Sequence, residues 1–522
     1  MSLLRLATAA SLLPLLAAGC QGVGDAPPEE RPSLIVLVSV DQLRGDLLAE
    51  YGDLFTGGLR RLLDQGASWP NTTHDHSETS TAPGHTTLAT AVYPSRHGIT
   101  GNSWFKEVGG QWRSVYAVED SLSPLLADPE LPGRSPANLY REGLGDWVKQ
   151  ADPSALAVAV SRKDRASITM GGLAADHVYW LALGAGVQGF TTSTYYSDEL
   201  PAWVTRVNSS LESTLWADTL WQNEIPEGDR ARARGDALET EGDGVHVTFP
   251  HRASAEARDT TRRSLGRWLE GTPSQDVAVF QLAEAALTEL QLGQRGSVDY
   301  LALGLSATDA IGHAYGPRSQ EQLDNLLRLD RELGAFLNAL DEIVGTRRWV
   351  VALSADHGVV DMVEARNAAG LPGHRITSDE QLQMRSLAAD LRDNPAALAL
   401  ALEELPFVAD VLTLDEVRSA APATDSFMTL FRNSDVEGRG VGPFAGIDVL
   451  VRFEEGTYGS PRGTGHGTPY YYDRSVPFLL LGPGVTPGVR SDRAATVDIA
   501  PTLAALGGIS VPDDLNGTAR EP

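Results

Sequence analysis

Four near-continuous apolar runs punctuate the chain, and each delivers polar residues at its end. Leu34-Ile35-Val36-Leu37-Val38-Ser39-Val40 stops at Asp41, and Ala155 to Val160 leads into Ser161-Arg162-Lys163-Asp164-Arg165. Tyr300 to Ser306 precedes Asp309, and Trp349 to Ala355 ends in Asp356-His357-Gly358. Unbroken rather than alternating hydrophobicity marks strands buried on both faces, as in a parallel sheet. Helical periodicity separates these runs. Around Leu59 to Leu63 an amphipathic helix is expected. From Ser319 to Val344, Leu323, Leu326, Leu327, Leu333, Phe336, Leu337 and Leu340 line one face. Ser319 and Gln322 are spaced for a capping box, and Gly345 ends the run. The alternation predicts an α/β fold with a central, largely parallel sheet flanked by helices. In such sheets ligands sit outside the carboxyl ends of the strands, so polar residues there converge whatever their separation in sequence.

Two spans break the pattern. Residues 171–299 and 361–460 carry scattered tryptophans, Gly-rich turns and charged helical pieces, and read as insertions into a catalytic domain running from 34 to 522. The second holds a mostly helical stretch from Leu371 to Leu405 and a strand at Ile447 to Val451, which suits a small subdomain.

The first twenty residues, MSLLRLATAASLLPLLAAGC, combine one early cation, Arg5, with an apolar stretch from Leu6 to Leu16 and small residues up to Cys20. This reads as a signal peptide, too short to span a bilayer in the ordinary way. The run into Cys20 resembles a bacterial lipoprotein signal, with Cys20 as the lipidated residue; Ala17 departs from the commoner Leu there, so ordinary signal-peptidase cleavage is the alternative. Residues 21–33 have a linker's Pro, Gly and charge content. The expected location is the periplasm or cell envelope. Forty-two basic residues against 69 acidic ones give a formal charge of −27, which argues against a nucleic-acid partner. Cys20 is the only cysteine, so no disulfide forms within the chain.

The segment from 77 to 102 is the chemical centre of the sequence. Thr81 stands two residues before Pro83 at the start of a helix through Leu88 and Val92, which reads as an N-cap. The same geometry puts a hydroxyl at the positive end of a helix, where an anion is also held. Asp41, Asp309-x-x-x-His313, Asp356-His357 and His466 supply three carboxylates and three imidazoles, a suitable inventory for two divalent cations. Asp309 and His313 share one face of a helical turn. The glycines of Gly463-Thr464-Gly465-His466-Gly467 let backbone approach a bound group. Lys163 and Arg165, two apart on an extended stretch, point to one side and add positive donors suited to a dianion. His85, near Thr81, reads as a residue supporting the ligands. His74, His76, His97, His177, His246, His251 and His374 read as surface or structural.

Taken in order, Asp41-Gln42-Leu43-Arg44, Thr81-Ala82-Pro83-Gly84-His85, Pro94 to Asn102, Ser161 to Arg165, Asp309-x-x-Gly312-His313, Asp356-His357-Gly358 and His466-Gly467-Thr468 resemble the alkaline phosphatase superfamily. The resemblance is to its PafA-type, phosphate-irrepressible branch and covers nearly all of the chain from about residue 34. It implies a two-zinc phosphomonoesterase of broad range acting on small phosphorylated metabolites, as a monomer. One Zn2+ would be held by Asp309, His313 and His466, the other by Asp41, Asp356 and His357 with the Thr81 oxygen. Thr81 would form a phosphothreonine, while Asn102, Lys163 and Arg165 hold the non-bridging oxygens. Sulfatases resemble the fold but need a Cys or Ser followed by x-Pro-x-Arg, which Thr81-Ala82-Pro83-Gly84-His85 lacks. A nucleotide pyrophosphatase/phosphodiesterase is the nearer alternative; a non-catalytic envelope-binding lipoprotein is the alternative from another class.

Overall fold

The computed structural model describes residues 31–183, 189–214, 220–419, 427–440, 444 and 446–522. The apolar leader with Cys20 and most of the 21–33 linker lie outside the described residues.

Nine strands form the main sheet: β1 (Leu34–Val40), β2 (Ala67–Ser68), β3 (Ala157–Ser161), β4 (His177–Ala182), β5 (Gly189–Thr191), β6 (Asp299–Leu305), β7 (Trp349–Ser354), β8 (Leu479–Leu481) and β9 (Gly488–Val489). Their order is β9-β2-β8-β7-β1-β6-β3-β4-β5. The five central strands from β7 to β4 run parallel, and β8 and β5 pair antiparallel at either side. Every residue of β1, β6 and β7 is buried, which is why these strands are apolar without alternation. The helices that cover them include α1 (Thr81–Thr90), α2 (Asp164–Gly171), α3 (Ser274–Glu289), α4 (Ala307–Tyr315), α5 (Gln320–Leu340) and α6 (Ile499–Gly507). Leu34, Val36, Val38 and Val40 pack with α3 and α5 on one face; Ile35 and Leu37 pack with Leu88 of α1 and Ile499 and Leu503 of α6 on the other. The result is a three-layer α/β/α architecture.

Register fixes where the polar residues emerge. Val40 lies opposite Leu305, Ser39 opposite Ser354, and Gly304 opposite Ser161. Continuing each ladder by one or two residues brings Asp41, Ser306, Lys163 and Asp356 to one level at the carboxyl edge.

The span 171–299 begins inside the sheet rather than outside it, because it supplies β4, β5 and α3. A run that alternates weakly and includes His177 and Tyr179 does not advertise a core strand, yet both edges of its backbone are paired. Within 361–460, Leu398, Leu402, Phe407, Val411 and Val449 enclose an apolar cluster of their own. Helices Ser378–Asp390 and Pro395–Glu403 accompany the antiparallel pair Val408–Thr413 and Val449–Phe453. At the start of α5 the Ser319 hydroxyl accepts from Gln322 N–H, but the Gln322 amide turns away to donate to the Thr308 carbonyl at 2.8 Å, so only half of a capping box forms.

Helix α1 lies hard against the end of β7. A Cβ added at Gly84 overlaps the Asp356 carbonyl, so only glycine allows the approach that brings Thr81 and Asp356 together. Gly84→Ala is expected to destabilise the fold by about 1–3 kcal/mol, as overpacking does; urea unfolding at equilibrium measures this, and a loss under about 0.5 kcal/mol would show that the contact relaxes freely.

Candidate active site

Asp41 follows β1 directly, and its N–H donates to the Leu305 carbonyl at 2.9 Å. Asp309 and His313 lie one turn apart on α4, with His313 Nε2 3.1 Å from Asp309 Oδ1. Asp356 and His357 follow β7, and His466 comes from the loop after the second inserted span. Gly463 and Gly467 in that loop have φ of +64° and +100°, a left-handed backbone that favours glycine. Two clusters result: Asp309, His313 and His466 in one, Asp41, Asp356 and His357 in the other, each with ligand atoms within 4.8 Å of one another. The six residues predicted from sequence are thus brought together.

The hydrogen bonding of the imidazoles suits metal ligation. His313 Nδ1 faces the Thr464 carbonyl at 2.8 Å, His466 Nδ1 the Thr79 carbonyl at 2.7 Å, and His357 Nδ1 the Gly358 carbonyl at 2.9 Å. A carbonyl only accepts, so each Nδ1 carries the proton and each Nε2 offers a lone pair. Two of these lone-pair atoms, on His313 and His466, stand 3.2 Å apart, a contact that a cation between them makes favourable. In the other cluster His357 Nε2 and Asp41 Oδ1 are buried without a hydrogen-bond partner. Such orphaned groups are costly unless something positive meets them. The residues present fit divalent cations in both clusters.

Thr81 opens α1 as its first helical residue; Ser80, one residue earlier than expected, is the N-cap and makes no side-chain cap. Asn102 Oδ1 accepts from Ala82 N–H at 2.9 Å, which turns the amide NH2 group away from the helix. Lys163 and Arg165 do not share an extended stretch: Lys163 is the N-cap of α2 and Arg165 its second residue. They converge nonetheless, with Lys163 Nζ 3.4 Å and Arg165 Nη2 3.3 Å from Thr81 Oγ1. Lys163 Nζ also bridges Asp41 Oδ2 at 2.5 Å and Asp309 Oδ2 at 2.6 Å, one carboxylate from each cluster.

Burial, together with Asp309 and Asp356 nearby, pushes the Asp41 carboxyl above its ordinary range. Against the same burial, Lys163 and His313 hold Asp309 well below that range, and His357 and His85 do so for Asp356. The three acids therefore titrate as a set.

Sequence reasoning missed Gln42 and Tyr116. Gln42 links the clusters: its N–H donates to Asp356 Oδ1 at 3.1 Å and its Nε2 to Asp309 Oδ1 at 2.7 Å. It does so at φ +71°, a backbone state uncommon outside glycine. Its adjacency to Asp41 was the available signal. The hairpin Ser103–Val108/Gln111–Tyr116 pairs Tyr116 with Ser103, the residue after Asn102, and so brings it to the site. Its hydroxyl accepts from Arg165 Nη1 at 3.2 Å and donates to Asp164 Oδ1 at 2.5 Å, while Arg134 Nε holds Asp164 Oδ2 at 2.6 Å. No sequence pattern marks that contact. His85 lies 3.0 Å from Asp356 Oδ2 and meets the Thr81 carbonyl at 2.9 Å, the supporting position expected of it. His76, His97 and His251 are buried and hydrogen-bonded away from the clusters, and buried His74 meets the carbonyl of Ala355, the residue before Asp356, at 2.9 Å.

A divalent cation is expected to stabilise this arrangement by mass action, about 2.7 kcal/mol at a hundred times its Kd. Chelator-treated protein titrated with Zn2+ or Mn2+ should show a rising Tm, and His357→Ala should diminish the rise; a Tm indifferent to both metals would remove the metal reading.

The sequence matches the family of type I phosphodiesterases and nucleotide pyrophosphatases over residues 35–440. Among curated proteins it is 33% identical to alkaline phosphatase PhoK of a Sphingomonas species, covering 92% of this chain and 89% of that one. It is 31% identical to alkaline phosphatase PafA of Elizabethkingia meningoseptica, covering 96% of each. The crystal structure of wild-type PafA superposes with a TM-score of 0.84 at 30% identity, over 95% of this chain and 99% of that one. Murine ectonucleotide pyrophosphatase/phosphodiesterase 5 shares the fold at a TM-score of 0.50 and 14% identity, over 92% of this chain and 97% of that one. The chain belongs to the type I phosphodiesterase/nucleotide pyrophosphatase family and, within the alkaline phosphatase superfamily, to the PafA-type alkaline phosphatases.

Proposed function

We propose that the chain hydrolyses phosphate monoesters through a covalent phosphothreonine on Thr81 and releases inorganic phosphate. One observation carries this reading: Lys163 and Arg165 both reach to within 3.4 Å of the Thr81 hydroxyl, so a nucleophile and two cationic donors face one point. A monoester brings two negative charges to that point and engages both cations, whereas a diester brings one.

The substrate phosphoryl group seats against Arg165, Lys163 and the Asn102 NH2 group, donors that are already oriented before the reaction. Tyr116 and Asp164 hold the Arg165 guanidinium, and Arg134 holds Asp164. Asp309, His313 and His466 would hold one Zn2+ and Asp41, Asp356 and His357 another, and ions bound there would supply Lewis acidity that activates the Thr81 hydroxyl and offsets charge on the departing oxygen. Mixed nitrogen and oxygen ligation suits zinc. Thr81 Oγ bonds to phosphorus as the ester P–O bond breaks, and the alcohol leaves with a proton. Water then bonds to phosphorus, the bond to Thr81 Oγ breaks, and free phosphate departs. A solved form of PafA carries substitutions at a threonine, an asparagine, a lysine and an arginine in that order along its chain, the same four residue types in the same order as Thr81, Asn102, Lys163 and Arg165.

The N-terminal apolar run supports export and, through Cys20, a lipid tether in the cell envelope. No helix of the described residues is long and apolar enough to cross a membrane.

With zinc-loaded protein, an aryl phosphate should be preferred over the matching aryl methyl phosphate diester. Lys163→Ala/Arg165→Ala should cost the monoester about 10³-fold or more and the diester far less, collapsing the preference. Acid quenching followed by mass spectrometry should find phosphate on Thr81; a wild-type preference for the diester would overturn the monoesterase reading. Tyr116→Phe removes one anchor of Arg165 and is expected to weaken inhibition by inorganic phosphate about tenfold, the worth of one hydrogen bond to a charged group. An unchanged inhibition constant would show that Arg165 needs no such anchor.

A further inference from the structure

Beside the active site lies a cavity of about 490 Å³, walled on one side by chain that continues directly from the catalytic residues. Ser77 and Glu78 precede Thr81, Trp112 stands on the hairpin that begins after Asn102, and Gly467 to Tyr470 follow His466. Three residues of chain span at most about 11 Å, so the cavity begins close to the nucleophile. Thr79 Oγ1 donates to the Thr468 carbonyl at 2.9 Å and stitches two of these walls together. The opposite wall comes from the second inserted span, between Leu414 and Phe453.

We infer that this cavity receives the leaving group of the phosphate monoester and selects aromatic alcohols that carry no further negative charge. The inference rests on the monoesterase reading. In-line displacement sends the departing oxygen away from Thr81, and the Asp309, His313 and His466 cluster stands beside the one that holds Asp41; the segment after His466 forms the cavity wall. Trp112, Phe431, Phe444, Phe453 and Tyr470 contribute aromatic surface. A volume near 490 Å³ is ample for a bicyclic ring.

The charges settle the class further. Among the described lining residues the cations are Arg418, Arg439 and Arg452, and each is engaged. Arg418 forms a double hydrogen bond with Asp435 at 2.7 and 3.1 Å. Arg439 stacks 4.4 Å over Trp104 and 4.3 Å over Tyr140 and donates to the Asn138 carbonyl at 3.1 Å. Arg452 lies 4.4 Å over Phe427 and donates to the Tyr470 hydroxyl at 3.2 Å. Glu78, Asp435, Glu437, Asp448 and Glu454 also line the cavity. Acids outnumber cations, so a second phosphate or a carboxylate on the leaving group meets repulsion, whereas a neutral ring meets aromatic walls.

The test compares ethyl, benzyl and 2-naphthylmethyl phosphate, alkyl esters that share the reacting bond, on the full chain with zinc. The structure predicts that kcat/KM rises by about 10-fold or more from ethyl to 2-naphthylmethyl, a gain of the size apolar pockets deliver. A carboxylate on the naphthyl ring should reverse that gain. Trp112→Ala, at an exposed hairpin, and Phe431→Leu should each move the naphthylmethyl-to-ethyl ratio toward one, with circular dichroism confirming the fold. A wild-type ratio near one, or a ratio that neither folded variant alters, overturns the pocket while leaving the monoesterase reading intact. No turnover of any of the three esters overturns the hydrolase reading and the pocket with it.

Discussion

Three carboxylates with their oxygens a few ångströms apart in a buried setting repel one another, and much of the molecule serves to hold them there. Asp41, Asp309 and Asp356 come from three parallel strands or their continuations, so the sheet ladders, not local preference, set their spacing. Lys163 bridges two of them and Gln42 bonds two, each spanning both clusters. Three histidines face the same space with lone pairs. Such a set is unfavourable alone and favourable around divalent cations, which is the physical sense in which the site is built for metal.

Holding these groups requires support that never touches a ligand. Gly84 lets α1 close onto the Asp356 carbonyl, and His85 then meets both Asp356 and the Thr81 carbonyl. On the anion side Arg134, Asp164 and Tyr116 form a relay that ends at Arg165. Each member fixes the rotamer of the next, so the Arg165 guanidinium is oriented in advance.

The fold itself extends to phosphodiesterases at low identity, and sharing it says little about which ester is cleaved. Under the proposed function that discrimination would fall to Lys163 and Arg165, the side chains that face Thr81, and to segments around the sheet. The second inserted span carries its own apolar cluster and still lends one wall to the cavity beside His466. A stable body anchored outside the core can change that wall without disturbing the carboxyl edge of the sheet.

What the sequence by itself determined was the identity of the chemistry. Unbroken apolar runs marked β1, β6 and β7 because strands buried on both faces admit little else. Asp41, Asp309, His313, Asp356, His357 and His466 were legible because strand ends and an i, i+4 pair are local features. Thr81, Asn102, Lys163 and Arg165 were legible chiefly through the resemblance of their ordered motifs. Tertiary structure decided the rest. That β4, β5 and α3 belong to the main body depends on pairing partners distant in the chain, and short mixed strands carry no such label. Lys163 and Arg165 converge through the start of α2 rather than through an extended run, and both reach the Thr81 hydroxyl at the start of α1. Gln42 and Tyr116 gain their roles only from contacts made across hundreds of residues or across a hairpin. Ligand types follow from residue chemistry, which a sequence states outright; support and selectivity follow from which surfaces meet, which only the folded chain decides.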